Sequence, residues 1–252
     1  MIHFVGAGCG AADLITVRGK ALLEQADVIV YAGSLVNPAL LAYKKEGCRV
    51  YDSARMTLEE VLAVMQDAEA AGFDTVRLHT GDPCLYGAIR EQMDQLDKLG
   101  IPYDYCPGVS AFSGAAVALK MEYTLPDVSQ SVIITRMAGR TPVPARESVR
   151  SFAAHGATMV LFLSAGLLRE TQNELLAGGY EPDTPAAIVY KASWPDEKTC
   201  LCTVATLYDC ARENGISKTA LIVVGDAVKQ SGYARSKLYD PTFSTEFRPA
   251  KE

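Results

Sequence analysis

Short apolar runs alternate with amphipathic stretches along most of the chain, a pattern that predicts an α/β protein. In the first half, 2–5, 28–31, 75–78 and 103–106 read as buried strands. Between them fall a helix capped by Thr16 and running to about Gln25, and a second opened by the capping box Thr57-Leu58-Glu59-Glu60 and ended by Gly72. Leu58, Val61, Leu62 and Met65 share one face of that second helix. Helical patterns follow at 88–99 and, rich in alanine, at 111–119. The segment 122–127 breaks the pattern and marks a boundary. Beyond it, 131–135, 158–163, 187–191, 199–204 and 220–224 read as strands, and 147–154, 168–177 and a stretch from about Leu207 as helices. The expectation is two α/β domains of similar size, 1–122 and 128–230, with a cleft between them and a polar, flexible tail at 231–252.

Composition narrows the class. The 252 residues are 49% hydrophobic and 21% charged, as in a soluble globular protein. No apolar run approaches the roughly 18 residues of a membrane span. The N-terminus enters a strand at once, without the basic region and apolar core of a signal peptide, so a cytoplasmic protein is expected. A net charge of −6 argues against a nucleic-acid partner, though not against a local cationic pocket. The seven cysteines are scattered, and the closest pair, Cys200 and Cys202, has no second pair at zinc spacing. They read as small buried hydrophobes in a reducing compartment. His3, His79 and His155 do not cluster, so no metal site is expected.

Candidate chemistry lies in the loops that follow strands. Thr80-Gly81-Asp82-Pro83-Cys84-Leu85 sits at the carboxyl end of a strand, where open α/β sheets bind ligands. Gly81 permits close approach of a ligand to the main chain, and Pro83 stiffens the loop that carries the Asp82 acceptor. An ordinary strand-to-helix turn has the same composition. Gly6-Ala7-Gly8-Cys9-Gly10-Ala11 fits G-x-G-x-x-A, with Asp27 at the distance of a ribose ligand. Against a nicotinamide site, Ala12-Asp13-Leu14-Ile15 intervenes before the helix, and Asp27 precedes its strand instead of ending it. Pro107-Gly108-Val109-Ser110-Ala111 is a third such loop; its N–H groups suit a carboxylate or hydroxyl, and a plain helix start capped by Ser110 explains it equally. Between Asp127 and Glu147 there are three arginines, Arg136, Arg140 and Arg146, and no acid, which suggests a carboxylate-rich partner or a solvated loop. No nucleophile triad and no P-loop is apparent. A reaction that needs neither a protein nucleophile nor a metal fits best.

Taken in order, Val5-Gly6-Ala7-Gly8-Cys9-Gly10, Thr80-Gly81-Asp82-Pro83 and Pro107-Gly108-Val109-Ser110-Ala111 resemble the tetrapyrrole C-methyltransferases that use S-adenosylmethionine, over about residues 1–228. Within that family, the stretches 31–36, 78–88 and 135–144 look like the branch that methylates a corrin precursor at C11 on the way to vitamin B12. The chain departs from the relatives that methylate uroporphyrinogen III, which carry an aspartate where Tyr31-Ala32-Gly33 stands.

The resemblance implies a two-domain fold with the donor held in the cleft, S-adenosylhomocysteine as product, a tetrapyrrole partner and a homodimer. By position it implies a donor site of Cys9, Thr80, Gly81, Asp82, Leu85, Ser110, Ala111, Leu163 and Ala192. The acetate and propionate arms of such a macrocycle need cations. Arg136 and Arg140 are the first candidates, with Arg55 and Lys191 behind them, and Ser34 and Asn37 are candidates to touch the ring. Asp82 is expected to anchor the donor, and no protein nucleophile is expected. The alternatives are a methyltransferase of the same fold acting on another carbon and a tetrapyrrole carrier without catalytic activity.

Overall fold

The computed structural model describes residues 1–251. The chain divides into two compact units. The first comprises Met1–Ala115 and Lys191–Glu197, and the second comprises Ala116–Tyr190 and the residues from Lys198 onward.

The first unit is built on an all-parallel sheet. In chain order its strands are β1 (Ile2–Gly6), β2 (Val28–Tyr31), β3 (Arg49–Asp52), β4 (Thr75–His79) and β5 (Tyr103–Cys106). In space the order is β3-β2-β4-β1-β5. Parallel strands need crossovers, and the helices that supply them cover both faces. Strand alternation sends Val5, Ile29, Val76 and Leu78 into one apolar cluster, with Leu23 of α1 (Val17–Gln25). It sends Phe4, Val28 and Val30 into the other, with Val61, Leu62 and Met65 of α2 (Leu58–Ala70) and Leu96 of α3 (Arg90–Leu99). Every residue of β4 is buried.

Local signals start the helices as expected. The Thr16 hydroxyl accepts from Gly19 N at 3.0 Å. Both halves of the Thr57 capping box form: Glu60 Oε2 accepts from Thr57 N at 2.7 Å, and Thr57 Oγ1 accepts from Glu60 N at 3.3 Å. Two elements differ from expectation. β3 was not anticipated; it is a four-residue edge strand carrying a charge at each end. The helical pattern at 88–99 begins only at Arg90, because Tyr86 and Ala88 take φ of 58° and 49°, values incompatible with a right-handed helix.

The second unit holds α4 from its second turn onward (Ala111–Leu119 in full) and a mixed sheet ordered β6-β7-β10-β8-β9. Its strands are β6 (Val132–Arg136), β7 (Thr158–Phe162), β8 (Pro185–Tyr190), β9 (Lys198–Thr203) and β10 (Ala220–Val224). Only the β6–β7 pair is parallel. Met159, Leu161, Ile188 and Ile222 pack against α5 (Val149–Ala153), α6 (Leu168–Ala177) and α7 (Leu207–Glu213). The helix expected at 147–154 is split: Ala145–Glu147 form one 3-10 turn, and Ser148 then caps α5 by accepting from Ser151 N at 3.1 Å. The C-terminal stretch holds a 3-10 turn at Lys237–Tyr239 and exposes Tyr233, Phe243 and Phe247. Among the described residues, no helix is long and apolar enough to cross a membrane.

Candidate functional site

The sheet order places the three loops singled out in the sequence at the carboxyl ends of the adjacent strands β4, β1 and β5. The register aligns them: Gly6 faces His79 across one ladder, and Val5 faces Cys106 across the other. Just beyond the strands the glycine loop and the Gly81 loop continue pairing. Ala7 N donates to His79 O at 2.7 Å, Gly8 N to Gly81 O at 3.2 Å, and Gly81 N to Gly8 O at 2.9 Å.

The loops pack main chain against main chain. A Cβ on Gly108 would stand 2.3 Å from Gly81 O and 2.7 Å from Gly6 Cα, and one on Gly6 would stand 2.5 Å from Gly108 N. Neither position has room for a side chain. Gly81 is different. It needs glycine for its φ of +59°, yet a Cβ there would lie 3.4 Å from Ala111 N and 3.7 Å from Ser110 Cα. A side chain at Gly81 would therefore fill the space over the start of α4.

Asp82 fastens this assembly. One carboxylate oxygen accepts from Cys84 N at 2.9 Å and from the Tyr105 hydroxyl in a short hydrogen bond. The other accepts from Gly108 N at 3.0 Å. Burial pushes the carboxyl upward, but the hydrogen bonds from Tyr105, Cys84 and Gly108 outweigh it and hold Asp82 below the usual carboxylate range. Burial first, and the same contact second, raise the Tyr105 phenol. Asp82 thus joins the β4 and β5 loops. Tyr105 and Gly108, its partners, were not among the residues singled out as site residues. In Asp82→Asn one acceptor oxygen becomes a donor facing a donor. A loss of about 1–3 kcal/mol in unfolding free energy is expected. Urea titration above pH 5 should show it, and the wild-type advantage should fade as pH falls through the depressed Asp82 pKa, because the folded carboxylate then takes up its proton.

The segment Lys191–Glu197 completes this side of the first unit. Ser193 Oγ accepts from Ala11 N at 2.9 Å and lies 3.4 Å from Cys9 Sγ. Cys9, Ser110 and Ala192 are all buried. A Cβ on Gly114 would stand 2.8 Å from Cys9 Sγ and 3.3 Å from the Ala192 Cβ, so α4 packs closely on both. Thr80 Oγ1 donates to Leu35 O at 3.3 Å, and Leu85 N to Asp82 O at 3.2 Å. Of the nine expected donor residues, eight therefore lie in the first unit, and Leu163 lies in the second.

The nicotinamide alternative fails on geometry. After Gly10 the chain makes a 3-10 turn at Ala12–Leu14, and α1 starts only at Val17. Asp27 sits at the amino end of β2, away from the loops, where it pairs with Lys45 at 2.6 Å.

Comparison with known proteins matches this arrangement. The family profile of Tetrapyrrole (Corrin/Porphyrin) Methylases covers residues 1–208. The chain belongs to the tetrapyrrole methylase family. It is 51% identical over 247 residues to the cobalt-precorrin-4 C(11)-methyltransferase of Methanocaldococcus jannaschii, covering 98% of this chain and 95% of that one. It is 45% identical over 248 residues to the precorrin-4 C(11)-methyltransferase of a Sinorhizobium species, covering 98% of each. Among solved structures, a cobalt precorrin-4 methyltransferase superposes with a TM-score of 0.88 at 47% identity, over 90% of this chain and 95% of that chain. A uroporphyrin-III C-methyltransferase from Thermus thermophilus, solved with S-adenosylhomocysteine, gives 0.77 at 25% identity, over 91% and 99%.

Against this methylase background the remaining expected residues sort by their partners. Leu163 is 64% exposed and takes φ +52°, a strained conformation for an aliphatic residue and one that clusters at functional sites. Arg136 donates to three carbonyls of its own loop, Met137 O at 3.2 Å, Thr141 O at 3.3 Å and Pro142 O at 2.8 Å, and so staples that loop. Arg140 and Arg55 are exposed, and Lys191 pairs with Asp196 at 2.6 Å. Asn37 ties two loops: its Nδ2 donates to Gly10 O at 2.9 Å while its Oδ1 accepts from Ala39 N at 3.0 Å. Ser34 is exposed. Where uroporphyrinogen relatives were expected to carry an aspartate after β2, this methylase brings a carboxylate from β3. Asp52 Oδ1 accepts from Gly33 N at 3.1 Å and Ala54 N at 2.9 Å. The β-forming pair Val50-Tyr51 ahead of Asp52 was the one weak signal for it.

Proposed function

We propose that this methylase transfers the methyl group of S-adenosylmethionine to C11 of precorrin-4 or its cobalt form, in corrin-ring synthesis. The observation that carries the reading is the 51% identity to a cobalt-precorrin-4 C(11)-methyltransferase across nearly the whole of both chains. The donor supplies an electrophilic methyl on sulfur, so the protein's task is alignment and exclusion of water. The space over Ser110 and Ala111, which a Cβ at Gly81 would fill, suits a donor laid against the main chain. Asp82 acts on the donor indirectly, by holding the Gly81 and Gly108 loops together. Ala192 supplies an apolar wall, and Arg140 and Arg55 are free to meet substrate carboxylates. The enzyme is further read as a cytoplasmic homodimer.

Titration calorimetry tests the donor half. S-adenosylhomocysteine should bind with one site per chain, and NAD should give no heat. Incubation with S-adenosylmethionine and precorrin-4 should add one methyl mass to the macrocycle. Binding of NAD in place of S-adenosylhomocysteine, or tetrapyrrole binding with no mass change, would reject the reading.

A further inference from the structure

A second feature of the first unit lies beside the Gly81 loop, on its β2 and α2 side. On β4, strand alternation puts Arg77 and His79 on one face, and both line a cavity of about 280 Å³ bounded by the ends of β2 and β4 and by α2 and α3. Arg77 is only 6% exposed. Its Nε donates to Gln92 Oε1 at 3.0 Å and its Nη1 to Val30 O at 3.2 Å, both neutral acceptors. No carboxylate of the described residues forms an ion pair with it; Glu91 lines the cavity from an exposed position. His79 is 5% exposed, stacks near Phe4 with ring centroids 6.4 Å apart, and its Nε2 is buried without a partner.

A buried guanidinium without a counter-ion is costly, and so is a buried ring nitrogen without a partner. An anion that accepts hydrogen bonds would relieve both. We infer that the Arg77–His79 cavity is a carboxylate subsite that takes one acetate or propionate arm of the macrocycle. This assignment rests on the tetrapyrrole reading above. The volume admits a carboxylate arm and excludes the ring itself. The lining also favours the macrocycle over the methionine carboxylate of the donor. It includes Ala32, Leu35 and Ser53 after β2 and β3; of the nine expected donor residues it takes in Thr80 and Leu85 but not Cys9, Gly81, Asp82, Ser110, Ala111, Leu163 or Ala192. Burial lowers Arg77 only to about 10, so it stays charged at neutral pH. Burial first and Arg77 second push His79 down to about 3, so its imidazole is neutral there and can donate one N–H.

Sodium propionate, with sodium chloride and propionamide as controls, probes the subsite directly. With three histidines in the chain, the imidazole ¹⁵N signals are few, and His79→Gln assigns one set. Propionate should shift the His79 signals saturably and leave His3 and His155 unchanged, and propionamide should not. In Arg77→Met the propionate affinity should fall at least about ten-fold. An unmoved His79, or equal shifts with propionamide, would overturn the subsite. Should Arg77→Met fail to fold, the wild-type titration and Arg77→Lys carry the same test. The source of the carboxylate is read from kinetics. Arg77→Met should raise KM for the tetrapyrrole about ten-fold with KM for S-adenosylmethionine unchanged. The reverse split would assign the site to the donor and overturn the macrocycle assignment. The propionate titration needs no methyl transfer, so this inference and the proposed activity fail separately.

Discussion

Gly108→Ala should unfold the first unit's loop assembly, with a loss of about 3–5 kcal/mol. The added methyl would stand 2.3 Å from Gly81 O and 2.7 Å from Gly6 Cα, and both neighbours are backbone. No rotamer change relieves such a contact; a strand end has to move. Movement there breaks the Asp82 Oδ2 bond to Gly108 N and disturbs the Gly8–Gly81 pairing. Gly6→Ala should behave alike, since its methyl would meet Gly108 N at 2.5 Å. Gly81→Ala separates packing from ligand binding. Its cost is mainly the left-handed φ, about 1–2 kcal/mol, and the protein should stay folded. It should nevertheless lose S-adenosylhomocysteine binding, because the methyl occupies the space over Ser110 and Ala111. Circular dichroism melts paired with calorimetry on the three variants check both halves. A well-folded, fully stable Gly108→Ala would show that the three loops do not pack as described.

Acid should destabilise the wild type through His79 well before the carboxylates protonate. Its folded pKa is about 3, against about 6.5 in an unfolded chain. Between those values the unfolded state binds one proton more than the folded state. Stability therefore rises with pH across that window and falls as pH drops below about 6.5, by about 1.4 kcal/mol per pH unit from this group. The cause is burial first, with the Arg77 charge adding to it. His79→Gln stays neutral throughout and should lack this slope. The stability of wild type relative to the variant, measured by urea titration from pH 7 to pH 4.5, should therefore fall as pH drops below about 6.5 and be independent of pH above pH 7. Parallel curves for wild type and variant would mean that His79 takes up its proton in the folded state.

Much of this architecture was legible because its signals are local. The Thr16 and Thr57 caps, the strand periodicity of β1, β2, β4 and β5, and the glycines after three of those strands each depend on residues within one turn or one strand. What escaped depends on partners distant in sequence. β3 is short, polar at both ends and at the sheet edge, so its apolar signal is weak, and Asp52 went unnoticed with it. Asp82 looked like a free acceptor because its loop contains no hint of Tyr105, on β5, or of Gly108, on the loop that follows β5. Arg136 showed its charge in the sequence but not the three carbonyls that engage it. Arg77 and His79 read as part of an ordinary buried strand. Only the fold shows that no carboxylate of the described residues pairs with the one and that the Nε2 of the other is left unpartnered.

The assigned chemistry rests on which carbon receives the methyl group. Single turnover with S-adenosylmethionine carrying a ¹³C methyl, on precorrin-4 and on cobalt-precorrin-4, followed by carbon NMR of the product, reads that carbon directly. The prediction is one new methyl resonance coupled to C11 with at least one of the two substrates. A label on another ring carbon, or none on either macrocycle, would contradict it.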